Sequence, residues 1–447
     1  MRLAKSILRK RLFAELSAMY AREVPLYDKL LETVRAVNAR VAGESPGSLP
    51  PDRSIEEISA ERHGAIRLGK PSELRDMARF FACLDMYPVN FYNLAEAGAK
   101  SQPVISTAFR PLENADHRIF CSLLMTEGFA PATRNRIGEL LAQREIFPPA
   151  LLRLIRTAED EGGLLETEAG DFIGQAKHLF SWRGTARDHA LYTNLVKARL
   201  NIAADIACFP NPHLNHLTPN TLDIDRLHAE MVRRLQTDYA HLQHKGMKET
   251  IEGPPRRNAA VLLRQTAYKA LDESFRFTEE DGRTVEAVHT ARFGEIEQRG
   301  AAMTRSGREL YDDVLARSET DPTAWQAIPD DLETLRRERL IHVLYKLAHK
   351  PDRPITPDSL DAAVAQGDVV YSPLRYEDFL PVSAAGIFAS NLGQYGTPTE
   401  TPAAPSYSRA QLEGYMEAVI YDAQEGYARE EQASLDILFG QNSQSTL

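Results

Sequence analysis

The segment FGEIEQRG, from Phe293 to Gly300, carries two glutamates on a stretch whose pattern predicts a short β-strand. Glu295 and Glu297 are two residues apart, so their side chains project from the same face of that strand. Two carboxylates on one strand face are poor core packing, because burying an unpaired charge is costly. They are understandable if one of them binds a metal ion, since carboxylate oxygens are common ligands of divalent metals.

Two distant segments can each supply a histidine to the same ion. RHGAIR contains His63, and NHLTP contains His216, with the nearby His213 as an alternative. Two histidines and one carboxylate form the facial triad that suits non-haem Fe(II). The same ligands also suit Mn²⁺ or Zn²⁺, so the residues alone leave the metal open. Each histidine by itself is equally explained as a polar residue at a strand end or in a loop.

Alternation along a strand predicted over residues 284–297 places His289 on the face that carries Glu295 and Glu297. That face also contains an aromatic ring, and such a mixture suits neither solvent nor a dry core. It suits the inside of an open β-barrel that encloses a polar site. If the strand is shifted by one pleat step, Glu297 becomes the ligand instead of Glu295.

The elements that would position these residues follow a β-α-β-β order that occurs twice. The first copy comprises a helix capped by Ser72 and strands at 64–68, 89–94 and 104–109. The second copy begins at HLNHLTP and comprises a helix at 225–244 and strands at 261–270, 274–278 and 284–297. Elsewhere the pattern predicts helices over 1–43, most of 112–205, 305–350 and 408–438, and irregular structure at 351–404.

The composition excludes several classes of function. The 447 residues are 43% hydrophobic and 26% charged, which is typical of a globular protein. The net charge of −10 gives no general attraction for nucleic acid or anionic lipid, and no apolar run approaches the ~20 residues that span a bilayer. Three scattered cysteines predict buried free thiols and a reducing, cytoplasmic location. Arg9 and Lys10 interrupt the apolar N-terminal run, which argues against a secretory signal.

Five segments together resemble the 2-oxoadipate dioxygenase/decarboxylase family: RHGAIRLGKP, HLNHLTPNTLDID, LLRQTAYKAL, ARFGEIEQRG and FLPVSAAGIF. That family is related to the vicinal-oxygen-chelate fold, whose βαβββ units form half-barrels around a metal. The resemblance therefore implies an α+β fold, with two βαβββ-type modules forming an open barrel, large helical insertions and helical N- and C-terminal regions. The segments expected are an N-terminal helical region (1–58), a first module (59–111), a helical insertion (112–205), a second module with metal ligands (206–304) and a helical, irregular C-terminal region covering the site (305–447).

The resemblance also implies roles for individual residues. The family's metal histidines correspond to His63 and His216. The 4-hydroxyphenylpyruvate dioxygenases are more distantly similar and carry a similar FxEIxQR strand, in which the first glutamate binds iron. By that similarity Glu295 is the ligand.

Further residues are implied at the substrate. Arg67 matches the family's substrate-binding arginine, whose planar fork suits a carboxylate; a salt bridge to Glu57 or Glu61 is its ordinary alternative. Val382 and Ser383, in PVSAAGIF, match a segment that the family uses near the substrate. Arg264 and Gln265 are neighbours in LLRQT, so only one of the two can point into the site.

The activity that the resemblance implies is Fe(II)-dependent conversion of 2-oxoadipate and O₂ to D-2-hydroxyglutarate (R-2-hydroxyglutarate) and CO₂, in lysine catabolism. The expected partners are thus a small 2-oxo dicarboxylic acid and O₂, without nucleic acid or membrane. Two alternatives stay open: another metal-dependent enzyme of this fold acting on a different 2-oxo acid, or a noncatalytic protein that binds a small acid. The sequence leaves open the oligomeric state, the substrate chain length, the product stereochemistry and the role of the insertion.

Overall fold

The computed structural model describes residues 2–45, 53–96, 101–289, 292, 294–318, 320–349, 354–379 and 406–440. The α-helices in these residues are α1 (Lys5–Glu23), α2 (Tyr27–Glu44), α3 (Ile55–Ala60), α4 (Pro71–Ala82), α5 (Pro131–Ala142), α6 (Pro149–Glu161), α7 (Glu166–Phe180), α8 (His189–Lys197), α9 (Asn201–Cys208), α10 (Ile224–Gln236), α11 (Arg305–Ser318), α12 (Leu332–Arg337), α13 (Leu360–Gln366), α14 (Arg409–Met416) and α15 (Ala423–Gly440). The strands are β1 (Arg62–Leu68), β2 (Tyr87–Asn93), β3 (Val104–Arg110), β4 (His117–Leu124), β5 (Thr185–Ala186), β6 (His216–Pro219), β7 (Leu263–Ala267), β8 (Glu273–Thr278), β9 (Thr284–His289), β10 (Glu295–Arg299), β11 (Val343–Leu347) and β12 (Val369–Pro373). The predicted α+β class is confirmed.

The largest sheet has the strand order β2-β3-β4-β1-β6. Strand β1 runs parallel to β4 and antiparallel to β6, so it lies between them. Every residue of β3 and β4 is buried, which indicates that both faces of the sheet are covered at its centre. His63 of β1 therefore sits in the interior of the sheet, with Thr218 of β6 opposite it.

Strand β10 pairs with β7 and also reaches the end of β6. Glu295 lies opposite Ala267, and Glu297 lies opposite Gln265. Just beyond β6, Asn220 forms a parallel bridge to Glu297, and the Thr221 amide donates to the Glu297 carbonyl at 2.8 Å. Strands β1, β6 and β10 are therefore consecutive neighbours in space, although they are far apart in the chain.

The N-terminal helices form as predicted and close one side of the core. In α1 the residues Leu12, Leu16 and Tyr20 are buried, and in α2 Leu30 and Val34 are fully enclosed. Spacings of three and four residues place these side chains on one stripe of each helix. Helix α1 packs on α7, and α2 packs on α10.

The single strand predicted over residues 284–297 is wrong, because the structure contains two strands there. Strand β9 ends at His289 and pairs with β8, in a sheet of order β5-β8-β9, whereas β10 pairs with β7. Between them lies buried Arg292, whose guanidinium is bound by Glu23 and Glu273. The alternation therefore does not continue across this point, and His289 does not share a strand with Glu295.

Other predicted boundaries also differ. Strand β4 lies in the segment predicted to be largely helical, because a short apolar run does not distinguish a buried strand from a helix. Strand β11 likewise lies in residues predicted to be helical. Helix α10 ends at Gln236 rather than near residue 244. Helix α4 starts at Pro71, and the carboxylate of Glu73 accepts hydrogen bonds from the amides of Gly69 and Lys70 in place of a Ser72 cap.

The predicted buried thiols are confirmed: Cys83, Cys121 and Cys208 are free and buried. Among the described residues, no helix has both the length and the apolar character needed to cross a membrane.

Candidate metal centre

Three side chains meet between strands β1, β6 and β10. His63, His216 and Glu295 each offer one ligand atom, and these three atoms lie within 4.8 Å of one another. The side chains are almost completely buried, with at most 1% of each residue exposed. Each ligand comes from a different strand of a hydrogen-bonded framework, so the backbone fixes their relative positions. The structure thus brings together the three residues that the sequence pattern singled out.

Burial favours the neutral form of both histidines. Burial lowers the pKa of His63, and the nearby Glu297 offsets this effect only in part. Burial also lowers the pKa of His216, well below its usual range, and the positive charge of Arg67 acts in the same direction. A neutral imidazole keeps a lone pair for a metal, so these shifts favour metal binding.

Among the described residues, hydrogen bonds reach only one of the two carboxylate oxygens of Glu295. The Thr218 hydroxyl donates to Oε2 at 3.0 Å, and Nδ1 of His216 lies 3.4 Å from the same oxygen. Burial raises the pKa of Glu295, while the buried Lys248 ammonium opposes that rise. A buried carboxylate beside two neutral imidazoles is stabilised by a divalent cation.

Two buried polar atoms of this cluster lack a hydrogen-bond partner in the part of the chain that the structure describes. Nε2 of His63 and Oε1 of Glu295 are buried and form no hydrogen bond there. Such atoms are rare in folded proteins unless a ligand or an ion satisfies them. The donor set and these two atoms therefore fit a metal ion bound by His63, His216 and Glu295.

Glu297 has a different environment from Glu295. Its Oε2 lies 2.7 Å from Nδ1 of His63, and Arg299 binds both of its oxygens, at 2.8 and 3.0 Å. Burial alone would raise the pKa of Glu297, but Arg299 and His63 together lower it by more. The ionised carboxylate can only accept, so Nδ1 of His63 is the donor and Nε2 is left for the metal. This is the arrangement by which carboxylates orient metal-binding histidines.

Arg67 lies on β1 and forms an ion pair with Asp205 of α9, at 2.6 Å. The alternative partners named from the sequence do not bind it; Glu61, for example, pairs with Arg53 and Arg375. His213, the alternative ligand, lies beside the same aspartate, with its Nε2 3.5 Å from Oδ1 of Asp205. His213 is therefore part of the Arg67 environment and lies outside the three-residue cluster.

A segment from the C-terminal region, residues 376–379 (the cover), lies against His63. The Phe379 ring meets the His63 ring edge-on, with 4.7 Å between their centroids. Nη1 of Arg299 donates to the carbonyl oxygens of Tyr376 and Asp378, at 3.0 and 2.9 Å. The cover is therefore attached to the same arginine that holds Glu297.

The same segment is also anchored to β3 by an ion pair. Asp378 is fully buried, and Arg110 of β3 binds its two oxygens at 2.9 and 3.2 Å. Val382 and Ser383 follow a few residues later but lie outside the described residues.

Several residues that surround the metal cluster were not predicted from the sequence. Thr218 lies two residues after His216 on β6, and Arg299 lies two residues after Glu297 on β10. Alternation along these strands could therefore have found both. Lys248 and Phe379 lie outside regular elements, and no spacing in the sequence links them to the ligands.

The fold and this site together define an α+β protein with a buried centre of two histidines and one carboxylate. The model of the 2-oxoadipate dioxygenase/decarboxylase family matches residues 12–391, and the chain belongs to this family. The predicted family is thereby confirmed.

Relatives resemble the chain along almost its whole length. The 2-oxoadipate dioxygenase/decarboxylase of Escherichia coli (strain K12) is 39% identical and is matched over 96% of each chain. The protein of the same name from Pseudomonas putida is also 39% identical, over 96% of this chain and 95% of that one. The crystal structure of the hydroxyglutarate synthase from Pseudomonas putida in complex with 2-oxoadipate is similar with a TM-score of 0.83, at 37% identity and 99% coverage of both chains.

Proposed function

We propose that this protein is an Fe(II)-dependent dioxygenase/decarboxylase that converts 2-oxoadipate and O₂ to D-2-hydroxyglutarate and CO₂, as a step of lysine catabolism. The observation that carries the proposal is the buried cluster of His63, His216 and Glu295, in a chain that belongs to a family of this name. The related structure from Pseudomonas putida, which holds 2-oxoadipate, supports the choice of substrate.

Fe(II) is proposed because two histidines and one carboxylate leave positions open for further ligands. When bound, iron would supply the redox chemistry that lets O₂ react with a 2-oxo acid. The atoms balance without another reductant: 2-oxoadipate and O₂ together contain the atoms of 2-hydroxyglutarate and CO₂. The substrate itself therefore supplies the electrons.

The chain's own residues would position the reactants and exclude water. Glu297 keeps His63 in one tautomer and one orientation, since it binds Nδ1. Phe379 covers the His63 ring, and this shielding strengthens electrostatic interactions inside the site.

Substrate recognition is proposed for three residues. Arg67 would bind a substrate carboxylate through its guanidinium. In the structure this guanidinium is paired with the carboxylate of Asp205. Ser383 would donate a hydrogen bond through its hydroxyl, and Val382 would contact the substrate beside it. The position of the covering segment supports a role for these last two residues, because its described part ends against His63.

The fold supports a two-module organisation, which we also propose. In the first half β1 runs parallel to β4, and just beyond β6 the chain forms a parallel bridge to β10. The ligands would then lie on the first strand of each module and on the last strand of the second. The five predicted segments remain part of this proposal, and the three buried free thiols support a cytoplasmic location.

The decisive experiment is O₂ uptake by protein loaded anaerobically with Fe(II), across 2-oxo acids of three to seven carbons. The proposal expects uptake with 2-oxoadipate, with one CO₂ released per D-2-hydroxyglutarate formed. Turnover of a different 2-oxo acid, with none of 2-oxoadipate, would contradict the substrate. Turnover with Zn²⁺ or Ni²⁺ and without O₂ would indicate another metal enzyme of this fold, and binding without turnover would indicate a noncatalytic acid-binding protein.

A further inference from the structure

Gln265 lies in the middle of β7, directly opposite Glu297 of β10. Side chains that face each other in an antiparallel pair project from the same side of the sheet. Gln265 therefore shares the face of Glu297, and that face also carries the ligand Glu295 one pleat repeat away. Only 1% of Gln265 is exposed, so its amide is enclosed on the side of the metal centre.

Neither polar atom of the Gln265 side chain has a partner among the described residues. Both Oε1 and Nε2 are buried and form no hydrogen bond there. A buried amide with both ends unsatisfied is costly, and folded proteins keep few of them. The amide is therefore explained best by a ligand that enters the site.

The neighbouring residue shows the opposite pattern. Arg264 projects from the other face, where it binds both oxygens of Asp225 at 2.6 and 3.1 Å and donates to the carbonyl of Pro254. Its hydrogen-bonding capacity is thus used in holding α10 to β7. Of the two candidates that alternation left open, Gln265 is the one directed to the site.

The backbone of Gln265 is held on both sides. Its amide donates to the Glu252 carbonyl at 2.9 Å, and its carbonyl accepts from the Glu252 amide at 2.8 Å. On the other side it pairs with β10. A side chain on such a rigid strand presents its amide in a defined position, which is what recognition of a small acid needs.

We propose that Gln265 is a specificity-determining residue that donates a hydrogen bond from Nε2 to a carboxylate of the 2-oxo acid. This inference rests on the proposed function for the class of ligand. A 2-oxo dicarboxylate offers only acceptors, so Nε2 is the atom that binds it. Oε1 can accept from the hydroxyl group that the product carries and the substrate lacks.

The test compares Gln265→Leu with Gln298→Leu. Gln298 lies on β10 opposite Arg264, and its Oε1 accepts from the Ile224 amide at 3.0 Å, so it is a structural glutamine of the same strand pair. The probes are 2-oxoadipate and 2-oxohexanoate, the latter lacking the distal carboxylate. Their dissociation constants are measured anaerobically by calorimetry on Mn²⁺-loaded protein, together with Mn²⁺ affinity and melting temperature.

We expect Gln265→Leu to weaken 2-oxoadipate binding about tenfold or more, the loss of one hydrogen bond to a charged group. Its Mn²⁺ affinity and melting temperature should stay at or above the wild-type values. Gln298→Leu should show the reverse, with a lower melting temperature and unchanged binding. If both probes lose affinity equally, the hydrogen bond from Gln265 is to the carboxylate at the 2-oxo acid end. If only 2-oxoadipate loses affinity, the hydrogen bond is to the distal carboxylate.

Unchanged 2-oxoadipate binding by Gln265→Leu would overturn the proposal, as would a loss of stability or Mn²⁺ affinity that accounts for weaker binding. Wild-type protein that binds no 2-oxo acid would overturn both this inference and the proposed function. Wild-type protein that binds 2-oxoadipate without consuming O₂ would contradict only the proposed function, because the dissociation constants would still decide the role of Gln265.

Discussion

Glu297 binds Nδ1 of His63 at 2.7 Å, while Glu295 of the same strand lies in the metal cluster with that histidine. One strand thus supplies a candidate ligand and the group that orients another ligand. The two glutamates are equally buried, so the difference between them lies in their partners. Glu297 is neutralised by Arg299, whereas Glu295 keeps one oxygen without a partner among the described residues.

Glutamine substitutions should separate these roles. We expect Glu295→Gln to abolish metal retention, because the only anionic member of the cluster is lost. Glu297→Gln should weaken metal affinity by about 10- to 100-fold, the usual effect of removing a group that orients a ligand. Metal content after dialysis and Mn²⁺ titration would measure both effects. Glu286→Gln, on the exposed face of β9, is the matched control.

The opposite ranking would contradict the assignment. If Glu297→Gln loses all metal while Glu295→Gln keeps it, then Glu297 is the ligand. That result would correspond to the shift of one pleat step that the sequence pattern left open.

The motif residues could be predicted from the sequence because short segments carry them. His63 and His216 each begin or nearly begin a strand, and Glu295 begins β10, so local pattern and family resemblance were enough to find them. Arg299 was also within reach, since it shares the strand and the face of Glu297.

Residues whose roles depend on long-range packing could not be predicted. The ion pair of Arg67 with Asp205 joins β1 to α9, and no spacing links residues so distant in the chain. Arg292 lies at the break between β9 and β10, where it is held by Glu23 of α1. Strand pairing was therefore the weakest part of the prediction, because the choice of partner strand is a property of the folded chain.

Arg299 should contribute strongly to stability. Its side chain is fully buried and binds both oxygens of Glu297, so Arg299→Met would leave a buried carboxylate without its cation. We expect the free energy of unfolding to fall by about 3–5 kcal/mol, the usual cost of breaking a buried pair. Urea denaturation of the apo protein measures this change.

The double variant Glu297→Gln/Arg299→Met should recover part of that loss, since it removes both charges. Arg276→Met, at a mostly exposed position on β8, is the control and should change stability little. Additive losses in the double variant would show that the pair does not act as a unit.

Arg67 should affect substrate binding more than metal binding. Arg67→Met removes the guanidinium proposed to bind a carboxylate, and a lost charged hydrogen bond corresponds to roughly a 10- to 150-fold rise in KM for 2-oxoadipate. Metal content should stay the same, because Arg67 lies outside the ligand cluster. Steady-state O₂ uptake gives KM and kcat.

Arg264→Met is the matched control, since Arg264 is also a paired arginine but holds Asp225 on the other face of β7. This variant should lose stability and keep its KM. If both variants raise KM equally, the effect of Arg67 is structural rather than a direct contact with substrate.

Gly294 precedes the ligand Glu295 and has no room for a larger side chain. A Cβ there would lie 2.0 Å from Cε1 of Tyr268, whose ring is buried and whose hydroxyl donates to the Pro25 carbonyl at 3.0 Å. Gly294→Ala must therefore displace the Tyr268 ring or the start of β10. We expect about 1–3 kcal/mol lower stability, as for other overpacked sites, together with weaker metal binding.

Gly170→Ala, within α7, provides the comparison, because apart from its chain neighbours and the backbone of its own helix no atom lies within 4 Å of its added Cβ. This control should gain about 0.5–1 kcal/mol from the better helix propensity of alanine and should bind metal normally. Thermal denaturation with and without Mn²⁺ distinguishes the two variants: the metal-dependent rise in melting temperature should shrink for Gly294→Ala and persist for Gly170→Ala. An undiminished rise in Gly294→Ala would show that Glu295 keeps its position despite the added methyl group.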